Sequence, residues 1–332
     1  MTNVLVTGAT GFLGRAAALR LRDSGWNVTG IGRDPQAGRR LSAQGIAFVQ
    51  ADLRDKQRIE DACAGQEIVV HCAALSSPWG RYRDFYETNA TGTEHVVSGC
   101  LRHGARRLVH VSTPSVYFDY ADRLNISERE KLPRKPANDY AATKLLSERI
   151  VMGAGARGLP SVILRPRGIF GPGDTSLFPR LLRANEARGI PMIGGGEALL
   201  DLTYIDNVVD GLVLACNAPD SAADEIYNLS NGEPVKLSDL LRRLFDRLQL
   251  PLRTVRVSRP VALAAGRGME WAYRTFPALG GEPPFTRYTV GLLAFSQTLD
   301  IAKARQALGY EPRVGLEEGL RRFADWWRNE QA

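Results

Sequence analysis

The sequence predicts an α/β fold, a doubly wound parallel sheet followed by a smaller C-terminal substrate-binding lobe. Three observations predict it. Asn3-Val4-Leu5-Val6 is a short apolar run that passes at once into Thr7-Gly8-Ala9-Thr10-Gly11-Phe12-Leu13-Gly14, and the alanine- and leucine-rich stretch Ala16 to Leu21 then reads as helix. Further apolar runs alternate with helical stretches as far as Leu164, the order of successive βαβ units. Beyond Pro172 that alternation breaks into shorter elements. A chain of 332 residues with 44% hydrophobic composition is long enough to bury the core this requires.

The first element carries the strongest chemistry. A strand, a glycine-rich turn and a helix N-terminus in that order make a pocket for a pyrophosphate, because glycines let the backbone approach and the helix offers free N–H groups and its positive dipole end. Gly8, Gly11 and Gly14 are spaced G-x-x-G-x-x-G, with Thr10, Phe12 and Leu13 between them. The expected nucleotide-binding unit is Rossmann-type and spans residues 1–172, with 173–332 forming mainly the substrate lobe and returning some elements to the sheet.

Asn27 to Gly32 reads as the second strand, whose end meets the adenosine ribose. A carboxylate there selects NAD(H); here Gly32 and Arg33 leave space and positive charge for a 2′-phosphate, with Arg39 and Arg40 nearby. NADP(H) is therefore favoured and NAD(H) remains possible, since Asp34 is adjacent. Ala47 to Val49 makes a third strand ending in Asp52-Leu53, where Asp52 either accepts from the adenine amino group or caps the following helix. Glu67 to Cys72 makes a fourth, running into Ala73-Ala74. Arg58 to Ala64 and Phe85 to Leu101 are the intervening helical stretches.

Leu108 to Ser112 is the fifth strand and ends in Thr113-Pro114-Ser115-Val116-Tyr117, placing hydroxyls at the cofactor end of the sheet. The helical stretch Asp139 to Val151 follows, in which Tyr140 and Lys144 lie four residues apart and share one face. A phenol with a pKa near 10 works at neutral pH only with help, which an adjacent ammonium supplies. Ser161 to Leu164 is the sixth strand, followed by Arg165-Pro166-Arg167-Gly168-Ile169-Phe170-Gly171-Pro172-Gly173-Asp174.

Together, the glycine-rich turn, the hydroxyl-bearing strand end and Y-x-x-x-K resemble the short-chain dehydrogenase/reductase superfamily. The length, the T-G-A-T-G-F-L-G form, Asn89 and Leu164-Arg-Pro166 place the likeness with its extended members. The resemblance implies Thr113, Tyr140 and Lys144 as catalytic residues, with Ser112 and Ser115 as lesser candidates, and a cofactor site that adds Asn89, Ser112, Pro166, Gly168 and Ile169. The R-P-x-x-I-F-G segment, His71-Cys-Ala-Ala74, Pro78-Trp79-Gly80 and Ser230-Asn-Gly-Glu-Pro234 are similar to the 3β-hydroxysteroid dehydrogenase branch. Within it the likeness is to bacterial 2-alkyl-3-oxoalkanoate reductases and sterol 4-carboxylate 3-dehydrogenases. The implied reaction interconverts a secondary alcohol and a ketone on a hydrophobic β-hydroxy or β-keto acid or sterol-like substrate. Ser76, Ser77, Trp79, Arg167 and Phe178 are candidate substrate contacts, Arg167 with either a substrate carboxylate or a structural ion pair. A homodimer through the helices Phe85–Leu101 and Asp139–Val151 is also implied.

In the C-terminal third, Leu177 to Arg188, Val208 to Cys216 and Leu237 to Leu248 are expected to form the lobe. Val261 to Phe276 carries Met269, Trp271, Tyr273 and Phe276 among Arg267 and Arg274; the stripe reads as core or dimer contact, or as an acyl tunnel or membrane-surface element. Gly280-Gly281 and Pro283-Pro284 mark a lid hinge, and Ile301 to Leu308 and Leu316 to Trp327 pack the end of the chain with Trp326-Trp327 buried.

The bulk properties narrow the alternatives. A net charge of +7 comes from arginines dispersed along helical surfaces, and no nucleic-acid module is present. Neither the four cysteines nor the four histidines fall at metal-ligand spacing, and the cysteines read as reduced thiols. No apolar run has the length of a membrane span and no leader is evident, so a cytoplasmic enzyme is expected. Two rivals stand beside the reductase: a sugar-nucleotide epimerase, dehydratase or reductase with bound NAD, and a non-catalytic cofactor-sensing protein.

Overall fold

The computed structural model describes residues 1–331. Seven parallel strands make the central sheet: β1 (Asn3–Thr7), β2 (Asn27–Gly32), β3 (Ala47–Gln50), β4 (Ile68–His71), β5 (Arg107–Val111), β6 (Ser161–Pro166) and β7 (Glu225–Leu229). Their spatial order is β7-β6-β5-β4-β1-β2-β3. The order reverses between β1 and β4, and a crevice opens at such a point above the strand ends. Apolar runs form the inner strands because both faces are covered, whereas the edge strand β3 is only half-buried. Val4, Leu5 and Val6 are fully buried, as are Ile68, Val69 and Val70.

The crossover helices are α1 (Phe12–Asp23), α2 (Pro35–Ala43), α3 (Lys56–Ala62), α4 (Gly92–His103) and α5 (Asp139–Gly155). The stretch expected as one helix from Phe85 is three pieces: a turn at Tyr82–Phe85, a π-helical segment at Tyr86–Thr91, then α4. Apolar periodicity cannot distinguish a π turn from an α turn, so the break was invisible in the sequence.

After β6 the chain leaves the sheet and builds the lobe, returning once to add β7 beside β6 in the register Pro166 to Leu229. A separate four-stranded sheet joins Val235–Lys236, Leu199–Leu200, Gln297–Leu299 and Arg123–Ile126. The helix Leu237–Leu248 has the predicted bounds and packs Leu240, Leu241, Leu244 and Phe245 into the lobe core. Two expectations are corrected here. Helix Arg259–Thr275 buries only Ala262 and Gly266, so its stripe is not core: Trp271 is 63% accessible and Met269 and Tyr273 are half-buried. Trp326 and Trp327 are half-buried, with both rings about 6 Å from Phe323. No helix among the described residues is long and apolar enough to cross a membrane.

Candidate active site

The turn after β1 is built for close approach. Gly8 has φ +71°, and the Gly11 N–H closes the turn by donating to the Gly8 carbonyl at 2.9 Å. A Cβ on Gly14 would lie 2.2 Å from that carbonyl oxygen, and one on Gly8 would lie 2.9 Å from the Ala73 backbone. Gly11 caps α1 without a side-chain hydrogen bond, and no acid occupies the first turn that Phe12 and Leu13 begin. The helix therefore presents open N–H groups and its positive end, and these residues fit a dinucleotide pyrophosphate.

At the end of β2, Gly32 packs against Thr10, where a Cβ would meet the threonine side chain at 2.5 Å. Arg33 is 75% exposed beside it. The neighbouring Asp34 carboxylate accepts from the Gln36 and Ala37 N–H groups and caps α2, which occupies one of its oxygens. Asp52 is held by a two-pronged contact with Arg54 at 2.9 Å, and that guanidinium keeps its carboxyl below the usual range. Asp55, not Asp52, caps α3. Leu53 is buried against Gly92.

A chain of buried hydrogen bonds fixes the loop carrying Ala73 and Ala74. The Ala73 N–H donates to Thr7 Oγ1 at 3.2 Å, and that hydroxyl lies 2.7 Å from His71 Nδ1. His71 Nε2 is 3.0 Å from Thr93 Oγ1, which donates to the Asn89 carbonyl. Burial brings His71 down to about 3, so the ring is neutral. The π turn points the Asn89 side chain inward, where it accepts from Leu75 N–H at 2.7 Å and donates to the Leu75 carbonyl and Thr143 Oγ1. Asn89 thus braces the loop that borders the crevice.

Thr113 and Tyr140 come together. Thr113 begins a 3-10 turn after β5, and its hydroxyl accepts from Ser115 N–H and donates to Ser115 Oγ at 2.9 Å. Tyr140 opens α5, whose N-terminus is capped by Asn138. Its phenol lies close to the Ser76 and Thr113 hydroxyls, and desolvation pushes it up to about 12. Lys144, one turn on, donates to the Val111 carbonyl at 2.8 Å and lies 3.1 Å from His110 Nε2. Burial brings this ammonium down to about 8. No hydrogen bond joins it to Tyr140 among the described residues; two of its three N–H directions point at the end of β5 and one is left over.

The lesser hydroxyls have other partners. Ser112 donates to Glu148, which is paired with Arg165 at 2.6 Å, both side chains almost fully buried. This ties α5 to β6. Ser115 Oγ lies 2.6 Å from the Tyr288 hydroxyl, contributed by the distant helix Arg287–Ala294. Tyr288 was missed in the sequence because no spacing connects it to Thr113. Pro166 ends β6, and Gly168, with φ +52°, is packed against Leu202 while Ile169 pairs with Thr203.

Among the substrate candidates, Ser76 reaches Tyr140. Trp79 lines a cleft of about 730 Å³ with Tyr82, Asp139, Tyr273 and Arg274, and the Arg274 guanidinium lies over its ring. Ser77 closes a turn onto Trp79. Phe178 is a correction: it is 0% exposed and packs between Phe170 and Phe323 in the lobe core, because its amphipathic helix turns that face inward. Among the described residues no group of histidine, cysteine, aspartate and glutamate side chains could hold a metal ion.

The NAD dependent epimerase/dehydratase family matches residues 4–230, which include every element of this crevice up to β7. The chain belongs to that family, among the extended short-chain dehydrogenase/reductases. It is 37% identical to the 2-alkyl-3-oxoalkanoate reductase of Stenotrophomonas maltophilia over 96% of this chain and 98% of the relative. It is 31% identical to the decarboxylating sterol-4-alpha-carboxylate 3-dehydrogenase of Saccharomyces cerevisiae over 98% of this chain and 97% of the relative. The solved structure of MoeE5 in complex with UDP-glucose and NAD has a TM-score of 0.78 and 27% identity, covering 99% of this chain and 100% of its own. With named reductases and dehydrogenases alike along nearly the whole length, this family member is an NAD(P)-dependent oxidoreductase.

Proposed function

We propose that the protein is a cytoplasmic, NADP(H)-dependent, homodimeric oxidoreductase that interconverts a ketone and a secondary alcohol on a hydrophobic β-keto or β-hydroxy acid or a sterol-like molecule. The observation that carries this reading is the meeting of Thr113, Ser76 and the Tyr140 phenol beside the open glycine cradle. The nicotinamide, when bound, supplies or accepts a hydride at the carbonyl carbon. Tyr140, protonated at neutral pH, gives its proton to the carbonyl oxygen, and Thr113 hydrogen-bonds that oxygen as charge develops. Lys144 keeps a donor for the ribose and a positive charge close to the helix face of Tyr140. The exposed Arg33 and the capped Asp34 support the 2′-phosphate preference.

Tyr140→Phe is expected to retain cofactor binding, measured by fluorescence titration with NADPH, and to lose turnover by a factor of order hundreds. Near-normal turnover would remove Tyr140 from the mechanism. The likeness to MoeE5 favours a second reading, a nucleotide-sugar enzyme. That reading expects NAD to remain bound through purification and UDP-sugars to be converted without added cofactor.

A further inference from the structure

Arg167 follows β6 directly, with its backbone N–H bonded to the Leu229 carbonyl and its carbonyl accepting from Thr203 Oγ1. The residue is 9% exposed, yet among the described residues its side chain makes no hydrogen bond and no ion pair within 4.0 Å. Every other nearly buried arginine here has a partner: Arg165 has Glu148 and Arg107 has Asp220. A buried guanidinium without an anion is costly, and such a group persists where its partner arrives from outside. Two groups stand within its electrostatic reach, the Tyr288 phenol and Asp201. Asp201 is beyond ion-pair distance: its Oδ2 accepts the Leu299 N–H at 2.6 Å, its buried Oδ1 has no partner among the described residues, and burial pushes its carboxyl up, so the guanidinium has a carboxyl in its field but no anion in contact. Tyr288 leads toward the chemistry: its hydroxyl is 2.6 Å from Ser115 Oγ, which accepts from the Thr113 hydroxyl, and Thr113 lies close to the Tyr140 phenol.

We infer that Arg167, with Tyr288 beside it, is the carboxylate subsite of the proposed reductase, making the ionised β-keto or β-hydroxy acid the substrate in preference to a neutral ketone. The inference rests on the reading above and adds what the acid group does. In a β-keto acid the bond from C2 to the carboxylate carbon breaks when its electron pair passes into the ketone, releasing CO2 and leaving an enolate. A guanidinium holding the negative charge on the carboxylate oxygens opposes that transfer. The acid then survives until hydride reaches the carbonyl carbon and Tyr140 protonates the oxygen, with no carbon–carbon bond broken.

The test uses a long-chain 2-alkyl-3-oxo acid and its methyl ester, with NADPH, on the wild-type protein and on Arg167→Gln and Tyr288→Phe. The wild type is expected to prefer the acid. Arg167→Gln should raise KM for the acid roughly 10- to 100-fold, leave the ester within about twofold, and release more CO2 per turnover. Equal losses on acid and ester, or none on either, overturn the subsite. Unchanged thermal unfolding shows that each variant is folded, and Tyr288→Phe, which keeps the ring, should shift KM for the acid in the same direction by less. Calorimetric binding of the 3-hydroxy acid and its ester to NADP+-loaded protein reads the same contact without turnover. Acid-selective binding lost in Arg167→Gln with no NADPH oxidation by the wild type would sink the reductase reading and keep the subsite. Reduction of acid and ester alike by both proteins would do the reverse.

Discussion

In the proposed reductase, Arg33 and Lys144 are the two side chains whose charge would govern cofactor choice and pH dependence. Replacing Arg33 by glutamate is expected to raise KM for NADPH by roughly tenfold or more while leaving NADH nearly unchanged, read from paired steady-state titrations. A smaller effect on NADPH than on NADH would assign the 2′-phosphate elsewhere. Lys144 sets a pH limit. Burial lowers its pKa from the usual 10.5 to about 8, so the charged form is complete well below that value and is lost as pH rises through it. The kcat/KM for ketone reduction should therefore be level near pH 6 to 7 and fall above about 8. A profile that keeps rising to pH 9.5 would show that the ammonium is dispensable. The glycines, Tyr140 and Lys144 were legible in the sequence because their spacing encodes a local shape. Tyr288 and the isolation of Arg167 were not, since both depend on which distant side chains arrive.

The elements hold Tyr140 in place through one buried ion pair. Glu148, on the inward face of α5, takes two N–H groups of Arg165 on β6, and Ser112 at the end of β5 donates to the same carboxylate. Three elements that carry site residues thus share one charge. Removing it by Glu148→Ala leaves Arg165 buried and uncompensated, and is expected to cost about 3–5 kcal/mol of stability with a corresponding drop in Tm. A loss within about 0.5 kcal/mol would mean that the guanidinium finds water. The sheet itself was readable, because strands covered on both faces must be continuously apolar; β2 and the helix Leu237–Leu248 have the predicted bounds. The small mixed sheet was not, since strands of two to four residues leave no periodicity to find. The stripe on Arg259–Thr275 could not be placed for a related reason: helical spacing of apolar residues shows that a face exists and says nothing about what covers it, and here the core does not.

For the molecule as a whole, the proposed dimer places α5 and the segment leading into α4 at an interface, where Tyr82 and Tyr86, one turn apart, are 48% and 41% exposed. A mass of twice the 36.4 kDa chain by light scattering at micromolar concentration is expected, and a monomer mass would refute the pairing. The fold class was legible because a glycine turn between a buried strand and a helix has few other uses, whereas the lobe's contents follow from packing alone. The return of Glu225–Leu229 to the sheet bears on attempts to engineer new specificity. That ribbon covers an edge where Val162, Ile163 and Leu164 are wholly buried. Exchanging the C-terminal half for that of a cousin would put a foreign strand against that edge, and a poor fit there would leave a sticky border inviting aggregation. A workable chimera keeps the host's own Glu225–Leu229 and splices on either side of it, treating the lobe as two inserts instead of one cassette.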